Sequence, residues 1–356
     1  MGKLAIKKYF SFLILITTII VAIFTFVGLF GGNVTPVGNM ARAMLVYVLP
    51  YLMVADFVLL LYWLLRRRWH WAAIPLVTLL CCIPYTGTMY QFGSLDEQAD
   101  KKSGLKIATY NVAMFNRETT GFIAQDILAQ MKKQKVDILC MQEYNDVSGD
   151  KKNSDSYKEY FPYMQTGRND MVIYSRYPIT GHKTIEFEET NNSAMWANID
   201  VNGEHIRVVN VHLETTGFNR TMHQAAKLQT KGVNVETNRL LQTIYGNYTW
   251  GLMIRAGQAI TMRNELLMLN TGDDDYSNII CGDFNDVPYS FVYNMMLGDM
   301  VDGFKECGSG WMSTYRGNKN VRIDYIFHDE SLKGLTYYKQ ELSYSDHYPV
   351  YMKLEY

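Results

Sequence analysis

Cysteine is scarce. Five residues in a chain of 356 cannot staple a protein of this length, which excludes a disulfide scaffold. Acids are nearly missing from the first part: residues 1–92 hold one carboxylate, Asp56, against Lys3, Lys7, Lys8, Arg42, Arg66, Arg67 and Arg68. Charge of either sign is absent from Tyr9 to Phe30. Internal repeats, low-complexity tracts and a continuous basic stripe are also lacking, so the usual electrostatic footprint of a polyanion binder is not there. With 48% apolar and 19% charged residues, global disorder is excluded.

What is present begins with apolar runs. About 20 apolar residues cross a bilayer as a helix. Three stretches qualify, at 9–30, 44–65 and 71–92, and together they make residues 1–92 an expected membrane domain. The first run is too long for a signal-peptide core, and Gly31-Gly32-Asn33 is no small-residue cleavage site, so it reads as an uncleaved anchor. Pro75 and Pro84 weaken the third run, although spanning helices tolerate proline. Lysines precede the first run and Arg66-Arg67-Arg68 fill the turn between the second and third. Basic loops stay in the cytoplasm, which predicts an extracytoplasmic location for everything after about residue 93, periplasmic in a bacterium. Trp63, Trp69 and Trp71 suit an interfacial belt around the arginine turn. Asp56 lies within the second run and reads as a protonated or paired acid facing another helix, since no second intramembrane charge exists to form a relay.

Residues 93–105 are polar and aperiodic and read as a linker. The remainder, 106–356, carries 27 basic and 34 acidic residues with the linker included. Its pattern is that of a soluble domain. LKIATYNVAMF, VDILCMQEY, DMVIYSRYPI, AMWANIDV, HIRVVNVHLE, SNIICGDFN, VRIDYIFH and YPVYMKLEY read as strands, and Phe122–Gln134 has helical spacing. Further helices are expected near 219–246, 251–269 and 289–298. Short turns such as Val201-Asn202-Gly203-Glu204 predict two mainly antiparallel sheets packed face to face with helices outside, an α/β (α+β) sandwich.

Polar residues collect where these strands end: Asn111, Glu143, His212, Asp283, Asn285, Asp324, Asp346 and His347. One such residue means nothing. A full set drawn from Asn, Asp, Glu and His is the composition of a metal-assisted hydrolytic site. His182, His205, His223 and His328 have no such support. Cys140 and Cys281, inside apolar strands, read as buried thiols, and Cys307 is left without a partner.

TYNV at 109–112, MQEY at 141–144, YSRYPI at 174–179, NVHLE at 210–214, GDFND at 282–286, RIDYIF at 322–327 and SDHYPV at 345–350 resemble, in order, the motifs of the endonuclease/exonuclease/phosphatase superfamily, which has the deoxyribonuclease-I-like fold. The resemblance implies a four-layer sandwich. It implies that Glu143 is the principal ligand of Mg²⁺ or Mn²⁺, with Asn111 beside it and Asp346 in the same region. His347 resembles the catalytic histidine and Asp324 the carboxylate orienting it. Asp283 and Asn285 resemble the pair that positions water and a phosphoryl oxygen, and His212 the histidine at the phosphate or leaving oxygen. Whether Asp283 or His347 accepts the water's proton stays open.

The expected partners are the lipid bilayer, through the N-terminal helices, and a phosphoester substrate, lipid or nucleic acid. Three functions follow: a membrane-anchored metal-dependent phosphodiesterase, sphingomyelinase-like, acting on a lipid headgroup; an extracytoplasmic metal-dependent endonuclease; and a non-enzymatic membrane interaction module. The acidic balance disfavours the second. Lys132, Lys133, Lys135, Lys151 and Lys152 read as solvated faces. The intact set of site residues disfavours the third. RAGQAITMRNELL reads as a helix packed on the sheet. Residues 216–250, with Phe218, Tyr245, Tyr248 and Trp250, read equally as a lid or membrane-facing element and as packed helices.

Overall fold

Helices that are apolar all round have no preferred wet face, and three open the chain. In the computed structural model they are α1 (Lys3–Leu29), α2 (Met40–Leu65) and α3 (Trp69–Cys81), the last followed by a single turn at Ile83–Thr86. The structure describes residues 3–93, 98–99, 102–116, 122–168, 170–231, 236–269, 276–316 and 320–356, apart from the side chains of 3–6, 116, 122, 218–220, 223 and 229. Part of the expected linker, and the side chains of Lys3, Phe218 and His223, therefore lie outside the described residues. The chain divides into two units, Met1–Thr88 with Val287–Asn294, and Met89–Asp286 with Met295–Tyr356.

In the first unit three helices are long and apolar enough to cross a membrane. Phe10, Phe12, Ile20, Ile23 and Phe24 of α1 are exposed, as lipid-facing side chains are. Polar groups turn the other way. Asp56 is fully buried on α2, with its Oδ2 2.6 Å from Thr25 Oγ1 of α1. About two helical turns away along α1, Thr18 Oγ1 accepts a hydrogen bond of 2.9 Å from Trp63 Nε1. A polar group in an apolar bundle is costly without a partner, and these two contacts join α1 to α2. Asp56 thus faces another helix.

The second unit is built on two sheets of six strands each. In the first the order is β11-β12-β1-β2-β4-β3, from strands Leu105–Asn111 (β1), Ile138–Gln142 (β2), Tyr163–Thr166 (β3), Val172–Ser175 (β4), Lys333–Lys339 (β11) and Val350–Glu355 (β12). In the second it is β9-β10-β8-β7-β6-β5, from Ile179–Glu186 (β5), Ser193–Val201 (β6), Glu204–His212 (β7), Ser277–Asp283 (β8), Val301–Asp302 (β9) and Asp324–His328 (β10). Both sheets are mainly antiparallel, as expected, but each contains one parallel pair, β1 with β2 and β7 with β8. The β6–β7 hairpin turns on Asn202 and Gly203, with φ of 58° and 97°. That is the left-handed pair demanded by a two-residue primed turn.

Strand alternation sorts the core. Ile107, Ile138, Cys140 and Ile173 face the other sheet and meet Ile199, Val208, Ile279, Cys281 and Ile326. Cys140 and Cys281 are free and buried in this layer. Ala108, Tyr110, Leu139, Met141 and Tyr174 point outward and are covered by α4 (Phe122–Gln134) and α5 (Lys151–Tyr160) through Ile127, Met131 and Tyr157. Helix α4 stops where Lys135 turns left-handed at φ 55°, and Val136 N–H returns to the Met131 carbonyl. Helix α5 starts at Asp150, whose carboxylate accepts from Lys152 and Asn153 N–H, a regular N-cap. Helices α6 (Phe218–Thr230) and α7 (Thr237–Leu269) follow β7.

Candidate active site

Both parallel pairs end at the same place. Asn111, the last residue of β1, is paired with Gln142 at the end of β2, and His212 at the end of β7 is paired with Asp283 at the end of β8. Asp324, the first residue of antiparallel β10, sits across from Asp283. Each polar side chain therefore leaves a strand at a rigid end, and the two sheets bring their ends together. Asn111 makes the join: its Nδ2 lies 3.0 Å from Glu143 Oε1 in its own layer and 3.1 Å from Asp283 Oδ2 of the other sheet. Its Oδ1 accepts from Ala113 N–H at 3.1 Å.

Local backbone at these ends is unusual. Glu143 and Asn285 adopt φ of 49° and 51°, uncommon for residues with a Cβ and costly enough to be kept only where the surroundings impose them. Gly282, at φ 138°, lies so close to the Val211 carbonyl that any Cβ would collide with it, so only glycine allows β8 to approach β7 there.

His347 is the most tightly held member. Its Nδ1 lies 3.0 Å from Asp324 Oδ2 and its Nε2 3.6 Å from Asp283 Oδ2. The Tyr315 ring sits edge-on at 5.0 Å, and the His347 N–H donates to Ser345 Oγ. Burial opposes charge on this imidazole, but the carboxylates of Asp324 and Asp283 outweigh it and push its pKa up to about 10. Burial lifts the Asp283 carboxyl well above the usual carboxylate range, against the pull of His347. Burial lowers His212, against the opposing influence of Glu143. The His212 Nε2 lies 3.9 Å from both Glu143 Oε1 and Asp283 Oδ2. Asn285 anchors the loop, with its N–H on Asp283 Oδ1 at 2.8 Å and its Nδ2 on the Leu213 carbonyl at 2.9 Å.

A raised folded-state pKa has a definite sign in stability. In metal-free protein the charged His347 stabilises the fold fully below its ordinary pKa of 6.5, and that contribution is lost as pH rises toward 10. Thermal unfolding should therefore show His347→Asn costing clearly more at pH 6 than at pH 10. An equal cost at both would contradict the ion pairing.

Asp346 is the member not drawn in. It is exposed, with its carboxylate 3.4 Å from Ser345 Oγ, and among the described residues no hydrogen bond or ion pair joins it to Asn111 or Glu143. Ser345 is more central: its hydroxyl donates to the Asn111 carbonyl at 2.7 Å. Two places suit a cation. Glu143 offers a hard oxygen on a side chain 38% exposed, the donor type that Mg²⁺ or Mn²⁺ takes together with water and substrate oxygens. Asp283, Asp324 and His347 also have ligand atoms within 4.8 Å of one another. There His347 Nδ1 is already committed to Asp324, and all three groups are buried.

Several supporting residues were not singled out from the sequence, although some lie inside the same motifs. Gln142 Nε2 reaches Thr109 Oγ1 at 3.0 Å and Asn210 Oδ1 at 2.6 Å, while Asn210 Nδ2 donates to the Met141 and Val172 carbonyls. This fully buried network fastens one sheet to the other beneath the site. Thr314 Oγ1 accepts from the Ile323 and Asp324 N–H groups. Arg255 of α7, fully buried, bridges the Glu214 carbonyl and the Asp286 carboxylate, and Gln258 accepts from Glu214 N–H. His328, by contrast, is buried against Glu306, away from this cluster.

Residues 108–347 match the profile of the endonuclease/exonuclease/phosphatase family, and the chain belongs to that family. Residues 11–89 match a domain of unknown function, DUF8431. No curated protein sequence matches the chain. Among solved structures, the endonuclease/exonuclease/phosphatase of Bacteroides vulgatus aligns with a TM-score of 0.50 at 17% identity, over 71% of this chain and 99% of that one. A humanized D. rerio TDP2 aligns with a TM-score of 0.50 at 16% identity, over 72% and 100%. Sphingomyelinase C of Streptomyces griseocarneus aligns with a TM-score of 0.47 at 15% identity, over 71% and 99%. At these identities the first two likenesses establish the fold alone.

Proposed function

We propose that the chain is a membrane-anchored, divalent-metal-dependent phosphoesterase that hydrolyses a phosphodiester, with a lipid headgroup as the substrate class. The observation that carries the reading is His347 held between Asp324 and Asp283, beside the Asn111–Glu143 pair. Glu143 would hold Mg²⁺ or Mn²⁺, with Asn111 fixing the carboxylate through its amide. When bound, the ion supplies positive charge against a non-bridging phosphoryl oxygen. Asp283, raised by burial, takes the proton of the attacking water, and Asn285 keeps its carboxylate aimed. His347, kept cationic by two carboxylates, donates a hydrogen bond to the charge developing on the phosphoryl oxygens. His212, kept neutral by burial, is placed to hydrogen-bond the leaving oxygen.

The tether favours a lipid. A catalytic domain on the same chain as three spanning helices meets bilayer substrates at high effective concentration. The acidic balance of residues 93–356 is unfavourable for a nucleic acid, which leaves an extracytoplasmic endonuclease as the second reading. The test is the full chain in nanodiscs, offered sphingomyelin-type and glycerophospholipids, plasmid DNA and a chromogenic phosphodiester, with Mg²⁺ or with chelator. Headgroup release that chelator abolishes and Mg²⁺ restores is expected. Glu143→Gln should raise the metal concentration needed for half-activity by about 100-fold. DNA cutting with intact lipids would transfer the assignment to the nuclease reading, and turnover unaffected by chelator would end the metal-dependent one.

A further inference from the structure

Helix α7 changes character along its length. From Gly251 onward it is embedded: Leu252, Arg255, Ala256, Ala259, Met262 and Leu266 are buried. From Glu236 to Trp250 no residue is buried. Yet this half carries Leu240, Leu241, Ile244, Tyr245 and Tyr248 at spacings of three and four, which place them on one side of a helix. Leu241 and Tyr245 are 57% and 58% exposed. Helix α6 lies alongside, joined through Asn247 Nδ2 to Thr221 Oγ1 at 2.9 Å, and adds exposed Met222 and Leu228. The arm is not loosely attached. At its base Gly251 packs on the backbone of Thr215 and Thr216, and Arg255 ties α7 to Glu214 and Asp286.

The charge of this arm is opposite to that of its surroundings. Residues 215–250 hold Arg220, Lys227, Lys231 and Arg239 against Glu236, in a unit where acids otherwise outnumber bases. An apolar stripe that stays exposed marks an interaction surface. Apolar and aromatic side chains combined with surplus Lys and Arg are the composition of an element that lies in the headgroup region of an anionic bilayer. A chain with three helices able to span a membrane keeps such a surface within reach.

We propose that the arm formed by α6 and the first half of α7 docks onto an anionic lipid bilayer through Leu241, Tyr245 and their neighbours, with the basic residues on headgroup phosphates. Docking holds the arm's base, and with it the Glu214 backbone and the Asp286 carboxylate, at a fixed attitude to the lipid surface. The proposal stands whichever phosphoester is cleaved.

The test uses the full chain, with Cys81 and Cys307 replaced by serine, in nanodiscs of phosphatidylcholine with or without one-third phosphatidylglycerol. Nitroxides are placed singly through Leu241→Cys, Tyr245→Cys and, on the opposite side of the helix, Thr243→Cys. Collisions with oxygen and with a water-soluble nickel chelate report depth. Positions 241 and 245 should favour oxygen by several-fold over position 243, and more strongly in discs containing phosphatidylglycerol. Equal, water-like accessibility at all three positions overturns the proposal. Spin–spin broadening at 241 and 245 that appears only when two chains share a disc also overturns it, in favour of a second copy as the occupant. The readout needs no turnover, so it fails or succeeds independently of the phosphodiesterase reading.

Discussion

Replacing His347 by alanine is expected to lower phosphodiester turnover by about 10³-fold or more, with a much smaller change in KM. The size follows from the number of functions lost. The imidazole sits 3.0 Å from one buried carboxylate and 3.6 Å from another. Without it, Asp283 and Asp324 face each other across paired strand ends with no intervening cation, and both carboxylates cannot remain ionised in so dry a place. Hydrogen-bond donation to the phosphoryl group and the ionisation of Asp283 then fail together. Asp324→Asn keeps a hydrogen-bond partner for the ring but removes its charge, so turnover should fall by a smaller factor, roughly 10²-fold, with the loss deepening as pH rises and His347 deprotonates. Single-turnover rates across pH 6 to 10 separate these expectations. Turnover within tenfold of the parent in His347→Ala would remove this residue from the chemistry and leave the Glu143 side of the site to account for it.

The strand ends were readable because an apolar run bounded at one end by a polar or ionisable residue is visible in one dimension. Asn111, Glu143, His212, Asp283 and Asp324 all have that form, and the structure gathers them. The Asn202-Gly203 hairpin was readable for a local reason, since two adjacent left-handed residues fix their own turn. Other features depend on where distant segments land. The parallel pairing of β7 and β8 crosses more than sixty intervening residues, and nothing local distinguishes it from an antiparallel neighbour. Gln142 and Asn210 look like ordinary polar residues in apolar strands until the sheets are stacked and they prove to be each other's partners. Asp346 shows the opposite difficulty. It adjoins His347 in sequence, but the chain bends at Ser345 and Asp346 and the His347 N–H closes on Ser345 Oγ, so His347 is buried while Asp346 stays exposed. Ser345, two positions from His347, is buried and donates to the Asn111 carbonyl. Arg255 had no signal beyond a charge on an apolar helix face, which is itself a reason to look for a buried acid.

The same reasoning makes Arg322 the residue whose loss should most damage the fold. It is fully buried, with its two terminal nitrogens 2.8 and 2.6 Å from the Asp302 carboxylate oxygens, a bidentate pair. The rings of Phe304 and Tyr325 lie within 5.0 and 4.6 Å of its guanidinium carbon. Removing one partner of such a pair leaves the other charge buried, at a cost of about 3–5 kcal/mol. Arg322→Met should therefore destabilise the second unit severely, and Asp302→Leu by a similar amount. The double variant should be well short of their sum, because neither charge is then stranded. Arg322 is two residues from Asp324, and its carbonyl accepts from the Tyr325 hydroxyl, so opening here reaches the strand that orients His347. Cys140 and Cys281 supply a local probe. They are free thiols sealed between the sheets, and a thiol reagent reaches them only when the sheets part. In the full chain, Arg322→Met should speed their modification by roughly 10²–10⁴-fold, the factor that corresponds to 3–5 kcal/mol of opening free energy, and the double variant should recover much of that protection. Unchanged modification in Arg322→Met would mean that ring packing, not the ion pair, holds this end of the sandwich closed.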